Sequence, residues 1–144
     1  MDSEKAVRKR LAELKKNLSI LRDLQALSYA DLVSNTEKLW ALEHGLQISI
    51  QIVLDVGNQL LADKSENNIE DYAGVITRLG EVGIVPKDFS DKIRHMAGFR
   101  NILVHEYAEL DLREVYRVLH QNLSDFETFG RYIESYLAGA GGRP

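Results

Sequence analysis

Residues 98–107, which read GFRNILVHEY, place an arginine, an amide, a histidine and a tyrosine close together. Arginine presents a fixed fork of donors that suits phosphate, and it keeps its charge at any physiological pH. Histidine takes or gives a proton near neutrality. An arginine and a histidine without a metal cluster indicate cleavage of RNA, where the neighbouring 2′-hydroxyl supplies the nucleophile and the protein moves protons and stabilises charge.

The spacing of these residues limits how they can act together. On a helix at about 100° per residue, Asn101 and His105 share a face, whereas Arg100 and His105 diverge by roughly 140°. One straight helix therefore cannot aim both Arg100 and His105 at one small ligand. Either the helix ends between them, or a second copy of the chain completes the site. The apolar residues 102–104 are expected to form the buried side that anchors the helix.

Supporting roles are available for two further polar residues. Asp55 lies between two apolar residues, and a half-buried carboxylate needs a cation, so it is a candidate to pair with and orient Arg100. An asparagine can orient either an arginine or a histidine, and Asn101 is expected to hold or orient His105. Each of these roles has a structural alternative. Asp55 would then be a plain surface carboxylate. Arg100 and His105 would cap backbone carbonyls and form surface ion pairs near a helix end.

Charge sets a condition on any binding of nucleic acid. The net charge is −4, and neutralisation of the phosphate backbone supplies most non-specific affinity, so an acidic protein needs a local basic patch. Lys92, Arg94 and His95 offer such a patch, since no carboxylate lies between Lys92 and His105. The alternative is that Lys92 and Arg94 are only solvated.

Residues 98–107 also resemble the signature of the HepT-like toxins, a branch of the HEPN superfamily. That family is defined by Arg, four residues, His, one residue and Tyr, which are here Arg100, His105 and Tyr107. The resemblance covers most of the chain and is strongest from Met96 to Tyr107. It implies an all-helical homodimer that acts as a metal-independent endoribonuclease toxin. It also implies a partner, a minimal nucleotidyltransferase antitoxin that transfers AMP onto Tyr107.

A two-fold dimer would resolve a chemical difficulty. Transesterification of RNA needs one group to accept the 2′-hydroxyl proton and another to protonate the leaving 5′-oxygen. Two chains would bring two copies of His105 and of Arg100 into one cleft, so that the histidines divide these roles. AMP on Tyr107 would add a bulky anion that competes with substrate for Arg100 and obstructs His105.

The elements that must position these residues are helices. The 144 residues suit one domain, expected over residues 1–138, with a disordered tail at 139–144. We predict an antiparallel bundle of four main helices and one shorter helix, with a break from Tyr29 to Asn35. The predicted helices run from Ser3 to about Ser28, from Thr36 to about Ala62, from about Ile69 to Leu79, from about Lys87 into the motif, and from Leu112 to about Leu137. Asp111 and Glu114 resemble a capping box for the last of them.

The second long helix carries more apolar residues than one neighbour could cover. Ile48, Ile52 and Leu54 widen its stripe. This surplus indicates a helix packed on two sides, either inside the bundle or against a second subunit.

Several classes of protein are excluded. The absence of cysteine removes disulfides and thiolate metal sites, and no motif for a metal or a cofactor is present, so we expect neither. No apolar run is long enough for a membrane span and no signal peptide is recognisable, which indicates a cytosolic protein.

Two other functions remain open from the sequence. One is a non-catalytic helical subunit that binds nucleotide or substrate for a nucleotidyltransferase complex, with Arg100 gripping phosphate. The other is a structural dimer whose motif residues only cap helices and form ion pairs. The sequence shows no aromatic platform for reading bases, so the RNA target is not specified.

Overall fold

Eight helices make up the described part of the chain. The computed structural model describes residues 2–66, 69–105 and 110–141, and within them it contains helices and no strand. In chain order the helices are α1 (Asp2–Leu24), α2 (Tyr29–Ser34), α3 (Thr36–Asp63), α4 (Tyr72–Glu81), α5 (Lys87–Ile93), α6 (His95–His105), α7 (Leu112–Gln121) and α8 (Leu123–Gly141). None of these helices combines the length and apolar character needed to cross a bilayer. The predicted all-α fold is confirmed.

The two longest helices, α1 and α3, pack side by side in opposite directions. Ser3 near the start of α1 donates a hydrogen bond to Asp63 at the end of α3, and Leu21 near the end of α1 lies against Gly45 near the start of α3. The apolar stripe predicted for α1 is buried throughout, at Val7, Leu11, Leu14, Leu18 and Leu21. Regular apolar spacing was therefore enough to identify this helix and its inward face.

One face of helix α3 is buried within the chain itself. Of its surplus residues, Ile52 and Leu54 are buried in the core and Ile48 is half-buried against it, which favours the first of the two explanations for that surplus. Gly57 allows α4 to approach closely, because a Cβ on this residue would lie 2.9 Å from Leu79 Cδ1. This close approach brings Tyr72, the first residue of α4, against the middle of α3.

The segment predicted as a break between the first two long helices contains the short helix α2. The Ser28 hydroxyl caps α2 by accepting a hydrogen bond from the Asp31 amide at 3.1 Å. Leu32 is buried, so an apolar side chain packed inward stabilises this turn. Asn35 caps α3 by accepting from the Lys38 amide at 3.1 Å, a role that asparagine side chains commonly have.

Two helices predicted as continuous are each interrupted at one residue. Arg94 separates α5 from α6, although its backbone stays near helical angles, with φ −56° and ψ −32°. Asn122 separates α7 from α8 at φ −114° and ψ −1°. Its side chain donates to Asp125 at 3.1 Å, and this local hydrogen bond competes with the regular helix.

The ends of the last two helices differ from prediction in detail. Asp111 caps α7 by accepting from the Arg113 amide at 3.0 Å, but Glu114 pairs with Arg117 and does not complete a capping box. The backbone of α8 continues to Gly141, and the disordered tail expected at 139–144 stays a prediction. Residues 142–144 lie outside the described residues.

Candidate functional site

The motif helix α6 has a buried face and an exposed face. Met96, Ala97, Phe99 and Leu103 are buried, while His95, Gly98, Asn101, Ile102 and His105 are exposed. The prediction that residues 102–104 form the buried side is therefore wrong at Ile102, whose exposed fraction is 37%. Three successive residues span about 200° of a helix, so they cannot all face the core.

Arg100 and His105 belong to the same uninterrupted helix. α6 runs from His95 to His105, so the helix does not end between the two residues. His105, the last described residue of α6, is exposed, whereas Arg100 is half-buried. The divergence of about 140° between them therefore remains, and a single α6 cannot direct both side chains to one phosphate.

Three contacts fix the Arg100 guanidinium. Its Nε donates to Gln51 Oε1 at 2.9 Å, and its Nη1 donates to Asn101 Oδ1 at 3.1 Å. The Tyr72 ring centroid lies 5.1 Å from Cζ, within range of a cation–π interaction. Among the described residues, these partners use two of the five N–H donors of the group, which leaves the Nη2 edge available to an anion.

Asp55 supports Arg100 through Gln51 and does not pair with it directly. Gln51 Nε2 donates to Asp55 Oδ1 at 2.8 Å, while Arg10 Nη1 on α1 donates to Asp55 Oδ2 at 3.2 Å. The predicted ion pair between Asp55 and Arg100 is thus wrong, because α1 supplies a nearer cation. The carboxylate instead orients the Gln51 amide so that its oxygen faces Arg100.

Asn101 also has a different partner from the one predicted. Its side-chain oxygen accepts from Arg100, so the amide orients the arginine and the prediction that it orients His105 is not supported. Adjacent residues on a helix diverge by about 100°, but the long arginine side chain bends back to reach the amide.

The predicted basic patch is smaller than the sequence indicated. Lys92 Nζ lies 3.1 Å from Asp125 Oδ1 on α8, and the Asp125 side chain is only 3% exposed. Lys92 therefore forms an ion pair with a buried carboxylate. Arg94 and His95 are exposed, and His95 Nδ1 lies 3.0 Å from the Lys92 carbonyl oxygen. Only Arg94 and His95 of the three remain as candidates to contact substrate.

Removing the Lys92 cation should destabilise the fold. We expect Lys92→Ala to lower the free energy of unfolding by about 1–3 kcal/mol, because Asp125 is left as a buried charge without its cation. Urea denaturation followed by circular dichroism measures this. Lys87→Ala is the matched control, since Lys87 pairs with an exposed Asp91 and its loss should change stability by at most about 0.5 kcal/mol. Equal stability of the two variants would contradict the structural role of Lys92.

Two residues of the site escaped sequence analysis. Gln51 lies one helical turn before Asp55 and therefore on the same face of α3, a signal that could have identified it. Tyr72 lies in the predicted helix from Ile69 to Leu79, and its contact with Arg100 depends on how closely α4 approaches α3. Tyr107 lies outside the described residues. Within residues 2–66, 69–105 and 110–141, no three His, Asp or Glu side chains are placed to bind a metal ion together.

Comparison with known protein families shows to which one the chain belongs. Residues 14–133 match the family described as Ribonuclease HepT-like. The chain belongs to this family. The resemblance noted in residues 98–107 is thereby confirmed, and so, at the level of the family, is the prediction of an enzyme that acts on RNA.

Individual members of the HepT-like family are similar over different lengths. The tRNA nuclease HepT of Aphanizomenon flos-aquae is 29% identical over 129 residues, which cover 89% of this chain and 87% of that protein. The mRNA nuclease HepT of Shewanella oneidensis is 31% identical over 84 residues, 58% of this chain and 63% of that protein. The structure of a tri-AMPylated HEPN toxin from Shewanella oneidensis, in complex with MNT antitoxin, superposes with a TM-score of 0.81 at 22% identity, covering 90% of this chain and 96% of that one. The last likeness shows that the fold is shared.

Proposed function

We propose that this chain is the ribonuclease toxin of a toxin–antitoxin pair, and that Arg100 and His105 from two protomers act on one phosphodiester bond of RNA. The observation that carries the proposal is the contrast between the two residues on α6. Among the described residues, Arg100 is held through Nε and Nη1 with no partner at Nη2, while His105, the last described residue of α6, is exposed. The family assignment and the nuclease names of two relatives support it.

The proposed reaction needs no metal ion. One His105 accepts the proton of the 2′-hydroxyl, whose oxygen attacks the adjacent phosphorus. The bond from phosphorus to the 5′-oxygen breaks, and the second His105 protonates that oxygen. Arg100 donates hydrogen bonds to the phosphate oxygens as charge develops on them. The products are a 2′,3′-cyclic phosphate and a 5′-hydroxyl.

Cleavage in the presence of a chelator tests this reaction. Purified protein is incubated with RNA in EDTA, and the new ends are mapped chemically. We expect undiminished cleavage with 5′-hydroxyl ends. Cleavage that stops in EDTA, or that leaves 5′-phosphates, would contradict the proposed chemistry. Binding of nucleotide with no cleavage under any condition would favour the alternative of a non-catalytic subunit.

The exposed face of α6 supports the proposed homodimer. In the described part of the chain no heavy atom lies within 4 Å of where a Cβ on Gly98 would be, so no described residue requires glycine there. A glycine inside a helix costs about 1 kcal/mol relative to alanine. Ile102 is exposed on the same side. A second copy lying close over this face would account for both residues.

A charge at Ile102 should therefore separate the subunits. We expect Ile102→Glu to convert the dimer to monomer and to abolish cleavage, because an interfacial apolar side chain is replaced by an unpaired carboxylate. Light scattering after gel filtration measures the mass. Ile20→Glu is the control, since Ile20 is 50% exposed on α1. A dimer that survives Ile102→Glu would place the interface elsewhere.

We further propose that a minimal nucleotidyltransferase antitoxin modifies Tyr107. The tyrosine oxygen attacks the α-phosphorus of ATP, pyrophosphate leaves and AMP remains attached. The added phosphate competes with substrate for Arg100. Support comes from the AMPylated state and the antitoxin of the Shewanella oneidensis structure.

The cytosolic location also stays a prediction.

Labelling with radioactive ATP tests the modification. Tyr107→Phe should take up no label from ATP and the antitoxin, whereas Tyr116→Phe, altered on α7, should label like the wild type. Undiminished labelling of Tyr107→Phe would exclude this residue as the acceptor.

A further inference from the structure

A cavity of about 350 Å³ opens beside Arg100, where α3, α4 and α6 meet. Two of its lining residues, Tyr72 and Asn101, are the same residues that hold the Arg100 guanidinium. Its other polar lining comes from Asn58, Glu70 and Asp71. A nucleotide whose phosphate meets Arg100 would therefore have this cavity within reach of its base.

We infer that this cavity binds the base of a nucleotide next to the cleaved bond, and that it favours a base with an exocyclic amino group. The inference rests on the proposed function and names a specificity determinant for it. Single-stranded RNA is read in this way, since exposed bases pack on aromatic rings and arginine planes while their edges are hydrogen-bonded.

The size and charge of the cavity select the kind of occupant. Its volume is at the lower end of the range of about 300–1,000 Å³ for small-ligand pockets, which suits one base and not a longer stretch of nucleotide. The carboxylates of Glu70 and Asp71 repel a phosphate, so the backbone must remain at Arg100 while the uncharged base enters. Tyr72 and Val75 provide an apolar surface for a ring.

The hydrogen-bonding groups set the preference among bases. Asp71 Oδ1 accepts from the Gly74 amide at 2.7 Å, which leaves Oδ2 as an acceptor, and Glu70 is exposed. Carboxylates accept hydrogen bonds from exocyclic amino groups, which adenine, cytosine and guanine carry and uracil lacks. The amides of Asn58 and Asn101 both donate and accept, so they can pair with the remaining edge of the base.

Binding measured without cleavage tests the cavity. His105→Ala protein, which should bind without cutting, is titrated against six-residue oligo(A), oligo(C) and oligo(U) by fluorescence anisotropy. We expect tighter binding of oligo(A) and oligo(C) than of oligo(U). Adding Asp71→Asn, which keeps the oxygen that caps α4 and replaces Oδ2 by an amide donor, should weaken the first two by roughly 2- to 10-fold relative to oligo(U), the effect of one hydrogen bond. Asp23→Asn on α1, outside the cavity, is the matched control.

Three results would overturn the inference: equal affinity for the three oligonucleotides, binding of none of them, or an Asp71→Asn effect that is the same for all three. The proposed function fails separately. If wild-type protein cuts no RNA while the base preference in binding persists, the nuclease assignment is wrong and the cavity assignment stands. If wild-type protein cuts RNA and the affinities are equal, only the cavity assignment is wrong.

Discussion

Replacement of His105 by alanine should lower the rate of RNA cleavage by about 10²–10⁴-fold, the contribution expected of general acid–base catalysis. The effect should fall on kcat, because His105 acts on protons that move in the transition state. Stability should change little, since His105 is exposed at the end of α6. Single-turnover cleavage of a labelled RNA measures the rate.

The control for His105 is the histidine of α7. His120 is exposed and packs on the Tyr116 ring at a centroid distance of 4.3 Å. We expect His120→Ala to cleave at the wild-type rate. A His105→Ala protein that cleaves as fast as His120→Ala would remove His105 from the mechanism.

Arg100→Lys should be almost as inactive as Arg100→Ala, with both about 10²–10³-fold slower than wild type. Lysine keeps the charge but has no planar fork, so it cannot contact Gln51, Asn101 and a phosphate at the same time. Steady-state kinetics on a short RNA separates kcat from KM. Arg131→Lys on α8 is the matched control, because Arg131 is exposed and its one side-chain hydrogen bond among the described residues is to Thr128.

Variants of Gln51 test whether the reaction depends on the position of the Arg100 guanidinium as well as on its charge. Gln51→Leu removes the oxygen that accepts from Arg100 Nε, so activity should fall while the arginine keeps its charge. Gln51→Glu keeps an acceptor for Arg100 but loses the donor to Asp55, so it should restore only part of the rate. If Arg100→Lys proves fully active, or if Gln51→Leu and Gln51→Glu are equal, the held guanidinium is not what the reaction requires.

The fold was largely predictable because apolar spacing determines which faces of helices are buried. Val7, Leu14 and Leu21 recur at helical intervals and all enter the core. The features that the apolar spacing did not predict are local. Helix α2 forms because Ser28 caps it, and α7 ends where Asn122 donates a hydrogen bond to Asp125. Such side-chain hydrogen bonds compete with the periodic pattern over single turns, which a scan for apolar repeats does not register.

The site was predictable in its residue types and less so in its contacts. Arg100 was identified from its type and spacing, but its neighbours depend on which helices meet. Arg10 lies 45 positions before Asp55 in the sequence and donates a hydrogen bond to its carboxylate. Asp125 on α8 forms an ion pair with Lys92. Pairings between distant helices follow from tertiary packing, and the sequence alone carried no signal for them.

Cleavage by a dimer that contains a single His105 tests the central claim most directly. Wild-type and His105→Ala chains carrying different affinity tags are co-expressed, and the mixed dimer is purified through both tags. If two protomers share one cleft and divide the acid and base roles, the mixed dimer should cleave at least about tenfold more slowly than the wild-type dimer. A mixed dimer that retains half of the wild-type rate would show that each protomer works alone and would contradict the shared site.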